Sequence, residues 1–156
     1  MARKIELEWP EAGIKVNATL LEKEEQELSE RLWKLLDKPL KMICQHTLST
    51  GDLFSADARP PRHPVVVGSQ ATPIGNKRWK LTEMKPGMVT FSGYGSYGGV
   101  FVAYGNHITE PLMAAGSVVA MVDKGHINEV MRAGAAVWNA QFVTHKLMTL
   151  IIRRKV

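Results

Sequence analysis

The chain begins with two runs in which apolar and polar residues alternate, and this pattern constrains the fold more than any other feature. Residues 4–9 alternate in this way, and residues 14–20 repeat the pattern. A period of two is that of a strand with one buried face. Pro10 presets a turn dihedral and Gly13 can take a positive φ, so the segment between the runs suits a short turn. We therefore predict an N-terminal β-hairpin.

Further short runs of strand-forming residues follow along the chain. They lie at residues 40–48, 53–54, 65–67, 100–104 and 118–122, on both sides of the turn at 85–87, and in the stretch 140–155. Residues 140–155 fit the apolar stripe of a helix about as well as they fit a strand, but their Val, Thr, Phe and Ile content favours a strand. Residues 56–64 hold three prolines and two arginines, which predicts a loop. With the hairpin, these runs predict about eight strands.

Two segments have the longer period of an amphipathic helix. In the first, leucines at positions 28, 32, 35 and 36 share one face, and Pro39 ends the helix. In the second, the apolar face comprises Ile127, Val130, Met131, Gly134, Val137 and Trp138. We expect Trp138 to lie in the core and Asp123 to cap this second helix.

Length and composition indicate one domain that spans residues 1–156. The chain is 45% hydrophobic, which is enough for a core of its own. No apolar run reaches the ~18 residues that a membrane span needs, and the N-terminus is charged where a signal peptide would be apolar. We therefore expect a cytoplasmic protein that does not bind membranes. Cys44 is the single cysteine, which excludes an internal disulfide and a cysteine-based zinc cage.

The formal net charge of +5 favours anionic partners. Basic residues are scattered along the chain except for the cluster Arg153, Arg154 and Lys155. A nucleic-acid surface needs a larger basic patch than three terminal residues. A small anionic molecule is therefore a better candidate partner than nucleic acid.

The order of these elements indicates a mainly β fold of the α+β class. About eight short strands in an open sheet would leave exposed edges, and closing the sheet removes them. We therefore predict a closed barrel of about eight strands, with two helices that cap it. No segment has the composition of an interdomain linker.

Three longer segments carry a resemblance to a known family. KPGMVTFSGYGSYGGVFVAYGN resembles the Pro-Gly turn, strand, glycine-rich loop and strand of cyclophilin-like barrels, and SVVAMVDKGHINEVMRAG is similar to their strand and second helix. The opening IELEWPEAGIKVNATLLEKEEQELSERLWKLL, followed by ICQHTLSTGDLF, resembles the bacterial cyclophilin-like group that includes cucumopine synthases. The resemblance in element order covers most of the chain and implies a cyclophilin-like barrel.

The cucumopine synthase resemblance implies a lyase-type or synthase-type enzyme without a redox cofactor. It would condense an amino-acid amine with an α-keto acid and then close a ring by Pictet-Spengler chemistry. Such a site must bind carboxylates, donate a proton to the departing water and accept a proton after the carbon-carbon bond forms. Three alternatives stay open: a small-molecule hydrolase or isomerase on the same barrel, a prolyl isomerase, and a non-catalytic binding or structural protein.

Cyclophilins that isomerise prolyl bonds place an arginine on the strand after the first helix. This chain has no arginine between Arg31 and Arg59, which disfavours prolyl isomerase activity. Here that strand reads MICQHTL, and His46 lies near the expected position. His46 is our first catalytic candidate, since imidazole titrates near neutrality. Asp52 and Glu83 adjoin predicted turns and are candidates for a general base or an orienting group.

Tyr94 and Tyr97 are further catalytic candidates, as phenol donors. They lie in the glycine-rich segment 93–99, which we predict to be a mobile loop that closes over the ligand.

Four residues are candidates for substrate binding. Arg59, Arg62 and His63 lie in the proline-rich loop, where guanidinium groups can clamp a carboxylate. Tyr104 follows on a predicted strand. No histidine pair has the spacing of a helical metal site, so we expect no metal and no cofactor. We also expect a homo-oligomer, because a short barrel leaves apolar surface to bury.

Overall fold

The computed structural model describes residues 2–60, 62–63, 68–94 and 97–156. These residues form nine strands and two α-helices. In chain order they are β1 (Lys4–Trp9), β2 (Ile14–Leu20), α1 (Gln26–Leu35), β3 (Leu40–Gln45), β4 (Gly51–Ala58), β5 (Met88–Thr90), β6 (Ser92–Tyr94), β7 (Tyr97–Ile108), β8 (Val118–Val122), α2 (Ile127–Asn139) and β9 (Thr149–Lys155). The strand predicted at 65–67 lies outside the described residues.

Eight of the strands form a closed antiparallel barrel, which confirms the predicted fold. Neighbours follow the order β4, β3, β9, β1, β2, β8, β5 and β7, and β7 pairs with β4 to close the ring. The remaining strand, β6, pairs only with β7. Closure leaves none of the eight with an unpaired edge.

The predicted hairpin is present, and its alternation fills the barrel. Trp9 pairs with Ile14 across the turn, and Gly13 has φ +66° there. Ile5, Leu7 and Trp9 are all fully buried. These side chains belong to one core that includes the inward residues of every barrel strand. The alternation of apolar and polar residues therefore determines which face of the hairpin lies inside the barrel.

Both helices pack on this core, but the face of α2 differs from the prediction. In α1 the leucines at 28, 32 and 36 are buried, as expected. In α2 the buried residues are Val130, Ala133, Gly134 and Val137. Trp138 is 41% exposed and Met131 43% exposed, so their expected core positions are wrong. Each lies one residue, or about 100°, beyond the buried stripe.

The two ends of the glycine-rich segment, which we predict to be a mobile loop, are paired strands. Ser92 pairs with Gly99, and Tyr94 pairs with Tyr97, while residues 95–96 lie outside the described part. A Cβ at Gly98 would overlap the ring of Phe91. Glycine is therefore required at position 98 for this close packing.

The segment after α2 also differs from the predicted strand. Residues Ala140–Thr144 continue the helix as a π-helical turn, and β9 begins only at Thr149. His145 ends the turn with φ +55°, a left-handed conformation that an L residue other than glycine rarely adopts. Gln141 and residues 143–147 are exposed, and Met148 is buried again.

Charged residues at the chain termini are paired with one another. Arg153 bonds to Glu6 and Glu8, and Lys155 lies 3.6 Å from Glu6. Asp123 pairs with Lys4 and accepts a hydrogen bond from Thr19, so it holds β1 and β2 instead of capping α2 as expected.

Arg154 donates to the carbonyl of Trp33 and covers its ring. Within the described residues, no helix is long and apolar enough to cross a membrane.

Candidate functional site

His46 immediately follows β3 and is held by two hydrogen bonds. Its Nδ1 lies 2.7 Å from the carbonyl oxygen of Thr47, and its Nε2 lies 2.7 Å from the hydroxyl oxygen of Tyr104. A carbonyl only accepts, so Nδ1 carries the hydrogen in the neutral ring. Nε2 then accepts the hydroxyl hydrogen of Tyr104. The geometry thus fixes the tautomer of the imidazole.

Tyr104 is positioned by both the barrel and α2. It lies on β7 with its side chain in the core, and its ring contacts the backbone of Gly134 so closely that a Cβ there would overlap it. The ring of Phe142, in the π-helical turn, meets the His46 ring edge-on at 6.2 Å between centroids. The pair is therefore enclosed by aromatic carbon on one side and by helix backbone on the other.

Burial sets the charge state of this pair. It lowers the pKa of His46 below its ordinary value, against the smaller opposing effects of the Thr47 carbonyl and the Asp52 charge. Burial also raises the pKa of Tyr104 to about 12, and the Asp52 charge adds to the effect. At neutral pH the imidazole is therefore uncharged and the phenol protonated.

His46 lines a cleft of about 640 Å³ between β3 and the end of α2. Its walls comprise Ile43, Cys44, Gln45, His46, Thr47, Ser55, Val137, Ala140, Gln141, His145, Lys146, Leu147 and Met148. No aspartate or glutamate is among them, whereas Lys146 and two histidines are. The cleft therefore favours an anionic or electron-rich ligand.

A smaller polar pocket of about 160 Å³ adjoins the cleft on the outer face of the barrel. Ser55 lines both cavities, and Asp57, Thr90 and Ser92 line the smaller one. Partial burial by the surrounding protein raises the pKa of the Asp57 carboxyl above its ordinary value. Ser55 therefore connects the cleft that holds His46 and Lys146 with the pocket that holds the carboxylate of Asp57.

The structure brings together three of the residues proposed from the sequence. His46 and Tyr104 are bonded, and the charge of Asp52 acts on both. One oxygen of Asp52 also accepts the backbone N–H of His107. Asp52 is therefore an electrostatic neighbour of the pair.

The other proposed residues lie apart from this site or outside the described side chains. Glu83 accepts the backbone N–H of Lys80 and caps a short 3-10 turn, and it lines neither cavity. Arg59, Arg62 and His63 are exposed after β4, and none of them lines the cleft. The backbones of residues 94 and 97 are paired strands, but their side chains lie outside the described part.

Sequence reasoning missed Ser55, Asp57, Gln141, His145 and Lys146. The first two were available, since β4 alternates and sends both to the face opposite Phe54 and Ala56. The last three depend on the π-helical turn, for which the sequence has no simple signal. The described residues contain no group of three or more His, Cys, Asp or Glu side chains that would hold a metal ion.

The barrel is similar to that of a protein of known structure. The chain resembles McbB, whose structure is solved in complex with tryptophan, at 29% sequence identity and a TM-score of 0.75. The match covers 97% of this chain but 44% of McbB, so this chain spans less than half the length of that protein. No protein-family profile matches the sequence, and no curated protein matches it. Because nearly the whole barrel is covered, the two proteins share this architecture.

Proposed function

We propose that this protein is an enzyme that condenses an amino-acid-type amine with an α-keto acid and then closes a ring, as in a Pictet-Spengler reaction. The observation that carries the proposal is the buried His46–Tyr104 pair at the wall of an acid-free cleft. The likeness to a barrel solved with tryptophan supports it. Tryptophan offers the primary amine and the electron-rich aromatic carbon that this chemistry consumes.

The reaction balances without an oxidant or a reductant. The amine attacks the keto carbon, the carbinolamine gains a proton and loses water, and an iminium forms. The aromatic carbon attacks the iminium carbon and then loses its own proton. One proton is consumed and one is released, so a single acid-base group can serve both steps. This chemistry requires no redox cofactor.

His46 is suited to act as this acid-base group because its hydrogen bond to Tyr104 persists in both protonation states. In the neutral ring Nε2 accepts the Tyr104 hydroxyl hydrogen. When the ring gains a proton, Nε2–H donates to the phenol oxygen and the hydroxyl hydrogen turns elsewhere. In each turnover the protonated pair delivers a proton to the carbinolamine oxygen and later takes one back from the aromatic carbon, which restores its protonation state.

Other residues take supporting roles in this proposal. Asp57, across Ser55 from the cleft, is a second base, and Asp52 stabilises the protonated imidazole through its charge. We propose Tyr94 and Tyr97 as phenol donors. Replacing either with Phe is expected to slow turnover by ~10²-fold if the hydroxyl transfers a proton, and little otherwise.

Arg59, Arg62, His63 and Glu83 keep the roles proposed from the sequence, with Arg62 as a remote carboxylate clamp. Arg62→Ala is then expected to raise KM with kcat little changed. An equal fall in kcat and kcat/KM would instead mean that Arg62 stabilises the transition state.

The test is incubation with pairs of one amino acid, tryptophan or histidine, and one α-keto acid, followed by mass spectrometry. The expected product has the summed mass of both substrates minus one water. Tryptophan deuterated at the reactive ring carbon distinguishes ring closure, which removes the deuteron, from an open imine, which keeps it.

His46→Gln should reduce product formation by ~10²-fold or more. His107→Gln is the matched control, since its side chain is 89% exposed, and it should leave the rate unchanged.

The alternatives give different results in the same assay. Turnover of an ester or amide without condensation would favour a hydrolase. Ligand binding without turnover in any pair would favour a binding protein and contradict the proposal.

A further inference from the structure

We infer that His145 and Lys146, where the π-helical turn ends, form a carboxylate-binding subsite of the His46 cleft. The inference rests on the proposed function, because it names how that site holds an acidic substrate. Both residues line the cleft together with His46. Neither was among the carboxylate-binding candidates suggested by the sequence.

Charge is the first observation. Lys146 is the only lysine or arginine among the cleft residues, and no acidic side chain lines the cleft beside it. Glu11 shares a neighbouring cavity with Lys146, but both of its carboxylate oxygens accept hydrogen bonds from Thr149. Within the described part of the chain, Lys146 has no ion pair within 4.0 Å. Its ammonium is therefore available to an anionic ligand.

The backbone is the second observation. His145 has φ +55° and ψ +37°, and it is the one non-glycine residue with positive φ among those described. This left-handed conformation ends the helical turn and sets the direction in which the chain leaves α2. The N–H of His145 and that of Lys146 both reach the carbonyl of Ala140, which fixes the turn.

Position relative to the proposed acid-base group is the third observation. The side-chain oxygen Oε1 of Gln141, in the same turn, accepts the backbone N–H of His46 at 3.4 Å. The turn that carries His145 and Lys146 therefore also contacts the residue after β3. Ile43 and Leu147 also line the cleft and are exposed, so they offer apolar surface to the rest of a carboxylate ligand.

The test compares two probes that lack an amine and so cannot condense: indole-3-propionate and its neutral amide, indole-3-propanamide. Their binding to the full chain is measured by isothermal titration. Wild type should bind the acid about tenfold more tightly than the amide or better. His145→Asn and Lys146→Gln should each weaken the acid by about tenfold while changing the amide by less than about twofold.

Two controls separate binding from folding. Lys124→Gln removes the same charge from an exposed residue outside the cleft and should leave both affinities unchanged. Asparagine tolerates the left-handed conformation, so His145→Asn should not lower the melting temperature. A melting temperature that falls together with both affinities would assign His145 a structural role and overturn its part in the subsite.

The inference is wrong if wild type binds acid and amide equally, or if neither variant weakens the acid. These outcomes are independent of turnover. A protein that discriminates the acid through Lys146 but forms no product from any substrate pair would retain the subsite and refute the proposed reaction alone.

Discussion

The Nε2 of His46 lies 2.7 Å from the hydroxyl oxygen of Tyr104, and this contact joins the residue after β3 to the middle of β7. The two residues are 58 positions apart in the chain. Both side chains are almost fully buried, so neither can exchange its partner for bulk water without a change in the site. The bond is therefore both a structural tie and the chemical centre of the proposed mechanism.

Tyr104→Phe should destabilise the protein, because it leaves Nε2 of a buried imidazole without its donor. We expect the free energy of unfolding to fall by about 1–3 kcal/mol. Urea denaturation of the variant and wild type measures this difference. Phe101→Tyr, on the opposite face of β7, is a control for the aromatic exchange itself. An unchanged midpoint for Tyr104→Phe would mean that the hydrogen bond contributes nothing net.

The lowered pKa of His46 predicts how stability depends on pH. The unfolded chain takes up a proton near pH 6.5, whereas the folded imidazole does so only at lower pH. Between these values the unfolded state binds more protons, so the free energy of unfolding decreases as pH falls. Above pH 6.5 this group has no such effect.

Denaturation series at several pH values should show this decrease in wild type and a smaller one in His46→Gln. His63→Gln, which changes an exposed histidine, should keep the wild-type slope. Equal slopes in wild type and His46→Gln would contradict the lowered pKa.

Cys44 should be inert although it lines the cleft. Burial raises the pKa of its thiol to about 12, so almost no thiolate is present near neutral pH. We expect iodoacetamide at pH 8 to modify the folded protein far more slowly than the urea-unfolded chain, as measured by intact mass. Rapid modification of the folded protein would place the thiol in an open, polar environment instead.

Gly134→Ala should be destabilising even though alanine is the better helix former by about 1 kcal/mol. Its Cβ would overlap the Tyr104 ring, and overpacking of this kind costs about 1–3 kcal/mol. Thermal unfolding measures the result. Gly125→Ala is the matched control, because a Cβ there meets nothing within 4 Å. A stabilised Gly134→Ala variant would show that α2 shifts freely over the barrel.

A homo-oligomer stays a prediction, and Leu48 offers a way to test it. Its side chain is 77% exposed, and we expect a second copy of the chain to cover it. Sedimentation at micromolar concentration should give a mass above the 17.3 kDa of one chain. Leu48→Asp should lower that mass. A wild-type mass of 17.3 kDa would contradict the prediction.

Local patterns in the sequence predicted the elements of the fold well where one periodicity dominated. The alternation at residues 5–9 and 14–20 gave the hairpin with the correct buried face, and the stripe at 28, 32 and 36 gave the buried face of α1. The predicted face of α2 contained the buried Val130, Gly134 and Val137 but was too wide. It also included Met131 and Trp138, which are as apolar as their buried neighbours. Hydrophobicity alone cannot choose between adjacent positions of a helix that is apolar over a wide arc.

Only part of the site was predicted from the sequence, and the reason differs from that for the fold. His46 and Tyr104 were both proposed, but their pairing depends on the closure of β4 onto β7 and on the position of α2. The π-helical turn places Gln141, His145 and Lys146 at the cleft, and nothing in the spacing of residues 140–147 distinguishes that turn from a strand. Long-range topology and one unusual backbone conformation therefore supplied what the sequence pattern lacked.

The position of β9 between β1 and β3 sets a constraint on folding during synthesis. The hairpin of β1 and β2 leaves the ribosome well before β9, so the edge of β1 that pairs with β9 has no partner until residues 149–155 have been made. At ordinary translation rates that interval is roughly 7–27 s. During that time the nascent chain exposes the unpaired backbone edge of β1 together with its apolar side chains. Cellular chaperones would therefore act on this protein mainly before β9 emerges.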